Sequence, residues 1–259
     1  MVQRIRIRYA KRGPMRFTSH RDFARAFERA LLRARVPIAY SQGFTPHPKI
    51  SYASAAPTGV ASEAEYVEIA LRAPADPAQL ARDLDAALSP GLDVLEAVEA
   101  AGGSLPDRID ASHWRIELLG VAPQVLASAV QAFLDAAEVS VERLTKQGRR
   151  TFDARHAVHR MRVLAEPSAQ GVGAGDGPPG APSEVGAAPC AILDLVVRQV
   201  TPAVRPDDVL SGLRVVAELE PPVPPRATRL AQGQLTAHGE IMDPLLADRE
   251  AAAIGASSQ

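Results

Sequence analysis

From the N-terminus, apolar and basic positions alternate: Val2, Ile5, Ile7 and Tyr9 are interleaved with Arg4, Arg6 and Arg8. Side chains alternate across a strand, so residues 2–10 are predicted to form one with an apolar face and a cationic face. The period then lengthens. Phe23, Ala26, Phe27, Ala30, Leu31 and Ala34 recur at helical spacing behind Ser19, an N-cap with Asp22 as its capping-box partner. Pro37 ends that helix, and strand-like segments follow near 37–41, 49–54 and 65–71. Asp76-Pro77 opens a second helix with Leu80, Leu84 and Leu88 on one side, and a strand closes the unit near residue 98.

The second half repeats this grammar. Strands are predicted at 113–119, 139–144, 152–164, 191–200 and 227–235, and helices at 123–136 and 206–219. The shared order is βαββαβ, and right-handed crossovers place both helices on one face of an antiparallel sheet. The expected fold class is therefore α+β: two tandem ferredoxin-like domains, residues 1–101 and 107–236. Within the second, residues 166–189 hold Gly or Pro at eleven of 24 positions and no aromatic, so a disordered Gly/Pro-rich insertion is expected there. Residues 237–259 are expected to be a weakly ordered tail.

Composition removes several chemistries. With 46% hydrophobic and 23% charged residues, the 259-residue chain is globular in character, and it has no apolar run of membrane-spanning length. The first residues lack the apolar block of a secretory signal, and Cys190 is the sole cysteine, so the cytoplasm is the expected compartment. One thiol cannot hold an iron–sulfur cluster or a thiolate zinc site. The phosphate loop, the dinucleotide fingerprint, the zincin helix and the nucleophile elbow are likewise missing from the sequence.

Charge is distributed unevenly. Residues 1–60 carry twelve Lys or Arg against Asp22 and Glu28, although the whole chain has a net charge of −1. Eight of the eleven aromatics also fall within the first 66 residues. Basic and aromatic groups together suit phosphates and bases, but they also suit a core with a solvated arginine surface. On the first helix Arg21, Arg25, Arg29 and Arg33 recur every four residues, a row that can track a phosphate backbone or simply face solvent. The loop Tyr40-Ser41-Gln42-Gly43-Phe44-Thr45-Pro46-His47-Pro48-Lys49-Ile50-Ser51 is stiffened by its prolines and rich in donors and acceptors. It reads as a recognition loop or as a structural crossover anchored by Phe44. Gln42, Phe44, His47 and Lys49 are its candidate contacts, with His20 at the adjoining helix start, where free N–H groups favour an anion. A third group, Lys146 to Arg162, has six basic residues around Asp153. Arg149, Arg150 and Arg155 are candidate contacts, while Asp153 is either a nucleophile or a salt-bridged neighbour of these arginines. No metal is expected, because His156 and His159 point to opposite faces of a strand.

Arg16-Phe17-Thr18-Ser19-His20-Arg21-Asp22 and the loop from Tyr40 to Ser51, continued by Gly59, Ser62, Glu63, Glu65 and Tyr66, closely resemble the bacterial radical SAM-associated domain of unknown function, also called radical SAM-linked protein. The resemblance implies an RNA-related or radical-enzyme-accessory role. Any S-adenosylmethionine and iron–sulfur cluster would then belong to a partner, since this chain lacks the three-cysteine motif. Asp153-Ala154-Arg155-His156 departs from that family's usual Asp-Ile-Arg-Pro. Gly148-Arg149-Arg150-Thr151-Phe152-Asp153 is more loosely similar to the catalytic segment of tRNA pseudouridine synthases, with the register broken by Arg150 and Phe152.

The leading expectation is a non-catalytic RNA-binding or enzyme-accessory protein. Its contacts would be Arg16, His20, Arg21, Arg25, Arg29, Gln42, Phe44, His47, Lys49, Arg149, Arg150 and Arg155, lining a shared basic cleft. The alternatives are an RNA-modifying enzyme of pseudouridine synthase type acting through Asp153, and a protein-interaction module that docks a radical SAM partner.

Overall fold

The computed structural model describes residues 2–145, 148–164 and 189–256. Lys146 and all of the expected insertion except Pro189 lie outside the described residues. The chain forms two compact units, residues 1–114 with 228–259, and residues 115–227. Five helices and a predominance of strands make it a mixed α+β protein among the described residues.

In the first unit, β1 (Gln3–Lys11) leads into α1 (His20–Arg33), followed by β2 (Ile50–Ala53), β3 (Ala61–Leu71), α2 (Pro77–Ala87) and β4 (Leu92–Glu99). Strands adjoin in the order β4-β1-β3-β2, each pair antiparallel. Ser19 caps α1 by accepting from the Asp22 N–H at 3.2 Å, and the Asp76 carboxylate caps α2 through the Ala78 and Gln79 N–H groups. Phe23, Phe27 and Leu31 of α1 and Leu80 and Leu84 of α2 join Ile5, Ile7 and Ile69 in one core, so both helices cover the same sheet face. The strand expected at 37–41 is reduced to isolated bridges, Ile38 with Leu71 and Tyr40 with Pro48. Pro37, Pro46 and Pro48 have no N–H to extend a ladder there.

The face of β1 expected to be cationic carries its arginines, and they are engaged within the fold. Arg6 is wholly buried and meets Glu68 and Asp248, Arg4 meets Glu68, and Arg8 donates to the Glu63 carbonyl. Arg12, at the strand's end, pairs with Glu63 and Asp93.

β5 (Ala111–Leu119) starts within the first unit and continues into the second. There follow α3 (Pro123–Asp135), β6 (Ser140–Thr145), β7 (Gly148–Asp153), β8 (Val158–Leu164), β9 (Cys190–Arg198) and α4 (Pro206–Ala217). β9 lies between β5 and β8, while β6 and β7 form a separate two-stranded ribbon. Residues 152–164 are therefore two strands where one was expected, because Asp153 closes a turn between them. Helices α3 and α4 approach closely at Gly212, where a Cβ would lie 2.6 Å from the Phe133 ring.

At the C-terminal end the compact units divide differently from the expected boundaries. β10 (Arg226–Leu235) was expected to complete the second domain, but from residue 228 onward it belongs to the first unit. It runs parallel to β3, with Thr228 opposite Ala61 and Arg229 opposite Ser62. The expected weak tail contains β11 (Ile241–Met242), paired with β10, and α5 (Leu246–Ala256). Asp248 holds α5 in place: wholly buried, it accepts from Arg6, Arg108 and the Ala101 N–H. Among the described residues no helix is long and apolar enough to cross a membrane.

Candidate nucleic-acid interface

A buried charged cluster supports the candidate surface of the first unit. Tyr9 stands opposite Glu65 and Lys11 opposite Ser62, so two residues of β3 face Ala10 alone. This bulge turns Ser62 and Glu65 to the same side of the sheet, although three apart in sequence. Arg229 reaches both. Its guanidinium pairs with Glu65, donates to Ser62 Oγ at 3.4 Å and lies 5.4 Å from the Trp114 ring centroid. Lys11 Nζ donates to the carbonyls of Ala56 and Pro57, and Glu65 accepts from the Ala56 N–H at 3.0 Å. Burial lowers the Lys11 ammonium pKa, with Arg229 adding to the effect and Glu65 opposing it.

These contacts fix the segment around residues 56–59, which in turn holds the approach to α1. The Gly59 N–H donates to the Arg16 carbonyl at 2.7 Å, and the Arg16 guanidinium lies 4.6 Å from the Phe17 ring centroid. His20 meets Tyr52 edge-on at 4.9 Å, Tyr52 touches Phe23 and Phe27, and Tyr9 stacks on Phe23 at 4.4 Å. Tyr52 Oη is buried without a hydrogen-bond partner among the described residues, and burial together with Glu28 raises its pKa well above the usual phenol range.

Along α1, Arg21, Arg25 and Arg29 are exposed and have no ion-pair or hydrogen-bond partner among the described residues. They occupy the side of the helix opposite Phe23, Phe27 and Leu31. Arg33 differs, because it donates to the Ala87 carbonyl. The 40–48 loop is pinned at its neck: the Ser41 N–H donates to the His47 carbonyl at 2.8 Å, and the His47 N–H to Ser41 Oγ at 3.0 Å. At its tip Gly43 takes φ +130°. The side chains of Gln42, Phe44, His47 and Lys49 are exposed and without partners among the described residues. A 620 Å³ cavity of this unit lies elsewhere, between the start of α2, the end of β4 and α5. Its charged lining residues are Asp76, Glu99 and the paired Asp248, with no cation among them to meet an anion.

The second unit treats its candidates unequally. Arg149 and Arg150 are exposed on the β6–β7 ribbon, Arg149 pairing with Glu142 at 3.3 Å. Arg155 instead donates to the carbonyls of Leu134 and Val158, so its guanidinium is a structural tie rather than an open contact. Asp153 forms no ion pair with these arginines. Its carboxylate accepts from the N–H groups of Val139 at 2.9 Å, Arg155 at 2.8 Å and His156 at 3.1 Å. Three backbone donors make it a turn cap, and these bonds stand where an ion pair was expected. His159 Nδ1 lies 3.5 Å from Arg198, and among the described residues no three His, Cys, Asp or Glu side chains group as a metal site.

Lys11, Arg229 and Trp114 were not singled out as site residues from sequence. The sequence offered no signal for them: Glu65 lies on a strand that also carries Ser62, Glu63 and Glu68, so nothing local marks it as the carboxylate that meets a buried cation.

The sequence pattern of a bacterial family described as "Uncharacterized protein conserved in bacteria (DUF2344)" matches residues 4–206. That span is well over half of the chain, and the protein belongs to this family. No curated protein matches it.

Proposed function

We propose that the protein is a non-catalytic RNA-binding or accessory protein, working beside a radical SAM enzyme or RNA-processing machinery. The observation that carries this reading is the row of Arg21, Arg25 and Arg29, exposed and unpartnered on the outer side of α1. Arg4 and Arg6 of β1 are paired within the fold, whereas this row leaves three neighbouring cations open on one helix face. Neighbouring guanidinium groups repel one another, and a polyanion relieves the repulsion while releasing its counterions. The pinned 40–48 loop adds Gln42 and His47 as directional contacts, Lys49 follows it, and Arg16 and His20 stand beside the start of the helix.

The strand order β4-β1-β3-β2 with two helices on one face supports a ferredoxin-like reading of the first unit, and β9 between β5 and β8 supports a similar one for the second. The likeness of the Arg16–Asp22 and Tyr40–Ser51 segments to radical SAM-linked proteins supports a radical SAM partner, which would supply S-adenosylmethionine and the iron–sulfur cluster. With Asp153 engaged as a turn cap, no geometric observation favours the pseudouridine synthase alternative. The test is RNA binding by fluorescence anisotropy across a salt series, with Arg25→Glu combined with Arg29→Glu as the weakened control.

A further inference from the structure

We infer that the nucleic acid held by the first unit is single-stranded, with unstacked bases packing against the ring of Phe44 and against the Arg16–Phe17 pair. The inference rests on the RNA-binding reading above and narrows it to one class of RNA.

Three large aromatics are exposed among the described residues: Phe17 at 60%, Tyr40 at 47% and Phe44, whose ring is as accessible as in an unfolded chain. All three belong to the segments that flank α1. The core therefore gains nothing from the Phe44 ring, and the crossover reading in which Phe44 acts as an anchor is set aside. The ring is nevertheless presented by a loop with a closed neck, a positive-φ glycine and two prolines, so little freedom remains to be lost when a planar group packs on it. Phe17 already carries the Arg16 guanidinium at 4.6 Å, and an arginine plane on an aromatic ring is itself a platform for a base. Lys49 and His47 stand beside Phe44 in sequence and are exposed, suited to the phosphates flanking a stacked base.

Duplex RNA does not use these features. Its bases are stacked on one another, its major groove is too narrow for side chains, and its minor groove offers hydroxyls and edges rather than faces. A single strand has free base faces, and stacking on aromatics tolerates any sequence. Arginines on a helix, with solvent-facing rings on the segments before and after it in the chain, combine an electrostatic track with a stacking platform.

The experiment uses the full chain and fluorescence anisotropy, with labelled uridylate and adenylate single strands of about 20 nucleotides and a duplex of equal length. Single strands are expected to bind at least about tenfold more tightly than the duplex. Phe44→Ala is expected to weaken single-strand binding roughly 5- to 150-fold while leaving the salt dependence unchanged, and Phe44→Trp to restore affinity. Equal affinity for duplex and single strand, or Phe44→Ala binding like the wild type, overturns the inference while leaving RNA binding intact. An absence of binding to any RNA removes the underlying reading, and this inference with it.

Discussion

Arg6 and Asp248 are separated by 242 residues in the chain, yet their side chains meet at 2.9 Å with neither exposed. The remaining donors of Arg6 reach Glu68 and the carbonyls of Gly102 and Gly103, and Asp248 also accepts from Arg108 and the Ala101 N–H. Removing one partner from a buried, fully bonded pair strands the other charge. Asp248→Ala is therefore expected to lower the unfolding free energy by about 3–5 kcal/mol in urea titrations. The paired change Arg6→Met with Asp248→Leu should cost less than Asp248→Ala, because the wholly buried Arg6 guanidinium is no longer stranded; Glu68 keeps Arg4, and the partly exposed Arg108 alone loses its carboxylate. A loss under about 1 kcal/mol for Asp248→Ala would mean that α5 is not held by this contact.

Glu65 balances two buried cations, Lys11 and Arg229. Glu65→Gln leaves both without a carboxylate and is expected to destabilise the fold by about 3 kcal/mol or more. The same change should increase amide hydrogen exchange in residues 56–59, whose Ala56 N–H is held by that carboxylate. Unchanged exchange there would contradict the proposed link from the buried cluster to the approach of α1.

Alkaline stability has a definite sign. Burial raises the phenol pKa values of Tyr9, Tyr52 and Tyr66 in the folded protein. Phenols of the unfolded chain ionise near pH 10 while the folded ones hold their protons, so this contribution is present below about pH 10 and lost above it. Lys11 works the other way: its lowered value imposes a penalty that is relieved as pH rises toward the unfolded value of about 10.4. Three phenols against one amine give a net fall above about pH 10. Tyr52→Phe should flatten that fall by about one proton and leave neutral-pH stability unchanged or raised by about 1 kcal/mol, because the hydroxyl lacks a partner. Urea midpoints between about pH 8 and 11 read both effects, and an unaltered alkaline slope would count against it.

Asp153 separates a structural role from a catalytic one. Asp153→Ala removes the acceptor of three backbone N–H groups and is expected to cost about 1–3 kcal/mol in stability. RNA affinity under stabilising conditions should remain that of the wild type. Loss of RNA binding in a folded Asp153→Ala protein would show that the turn cap has a second role.

Elements with a local cause were legible in the sequence, and those with a distant cause were not. The first helix follows from Ser19 and the spacing of Phe23, Phe27 and Leu31, all within fifteen residues of chain. Alternation in β1 identified its two faces but not what covers the second one, since Asp248 arrives from the far end of the chain. The turn at Asp153 escaped because a carboxylate among arginines suggests ion pairing, whereas nearby backbone N–H groups claimed it. Arg229 carries no local cue to Glu65; the pairing depends on a bulge in β3 and on the return of β10 to the first unit. Arg21, Arg25, Arg29 and the 40–48 loop were legible, because exposure follows from helical phase and from a cluster of prolines and polar residues.

The most direct measurement of the central claim is the affinity of the full chain for single-stranded RNA between about 50 and 200 mM salt. Three phosphate contacts from Arg21, Arg25 and Arg29 predict that log K falls against log salt with a slope of about −2 or steeper. Arg25→Glu combined with Arg29→Glu should weaken binding and reduce that slope. Affinity insensitive to salt, or undetectable for every RNA tested, would contradict the account.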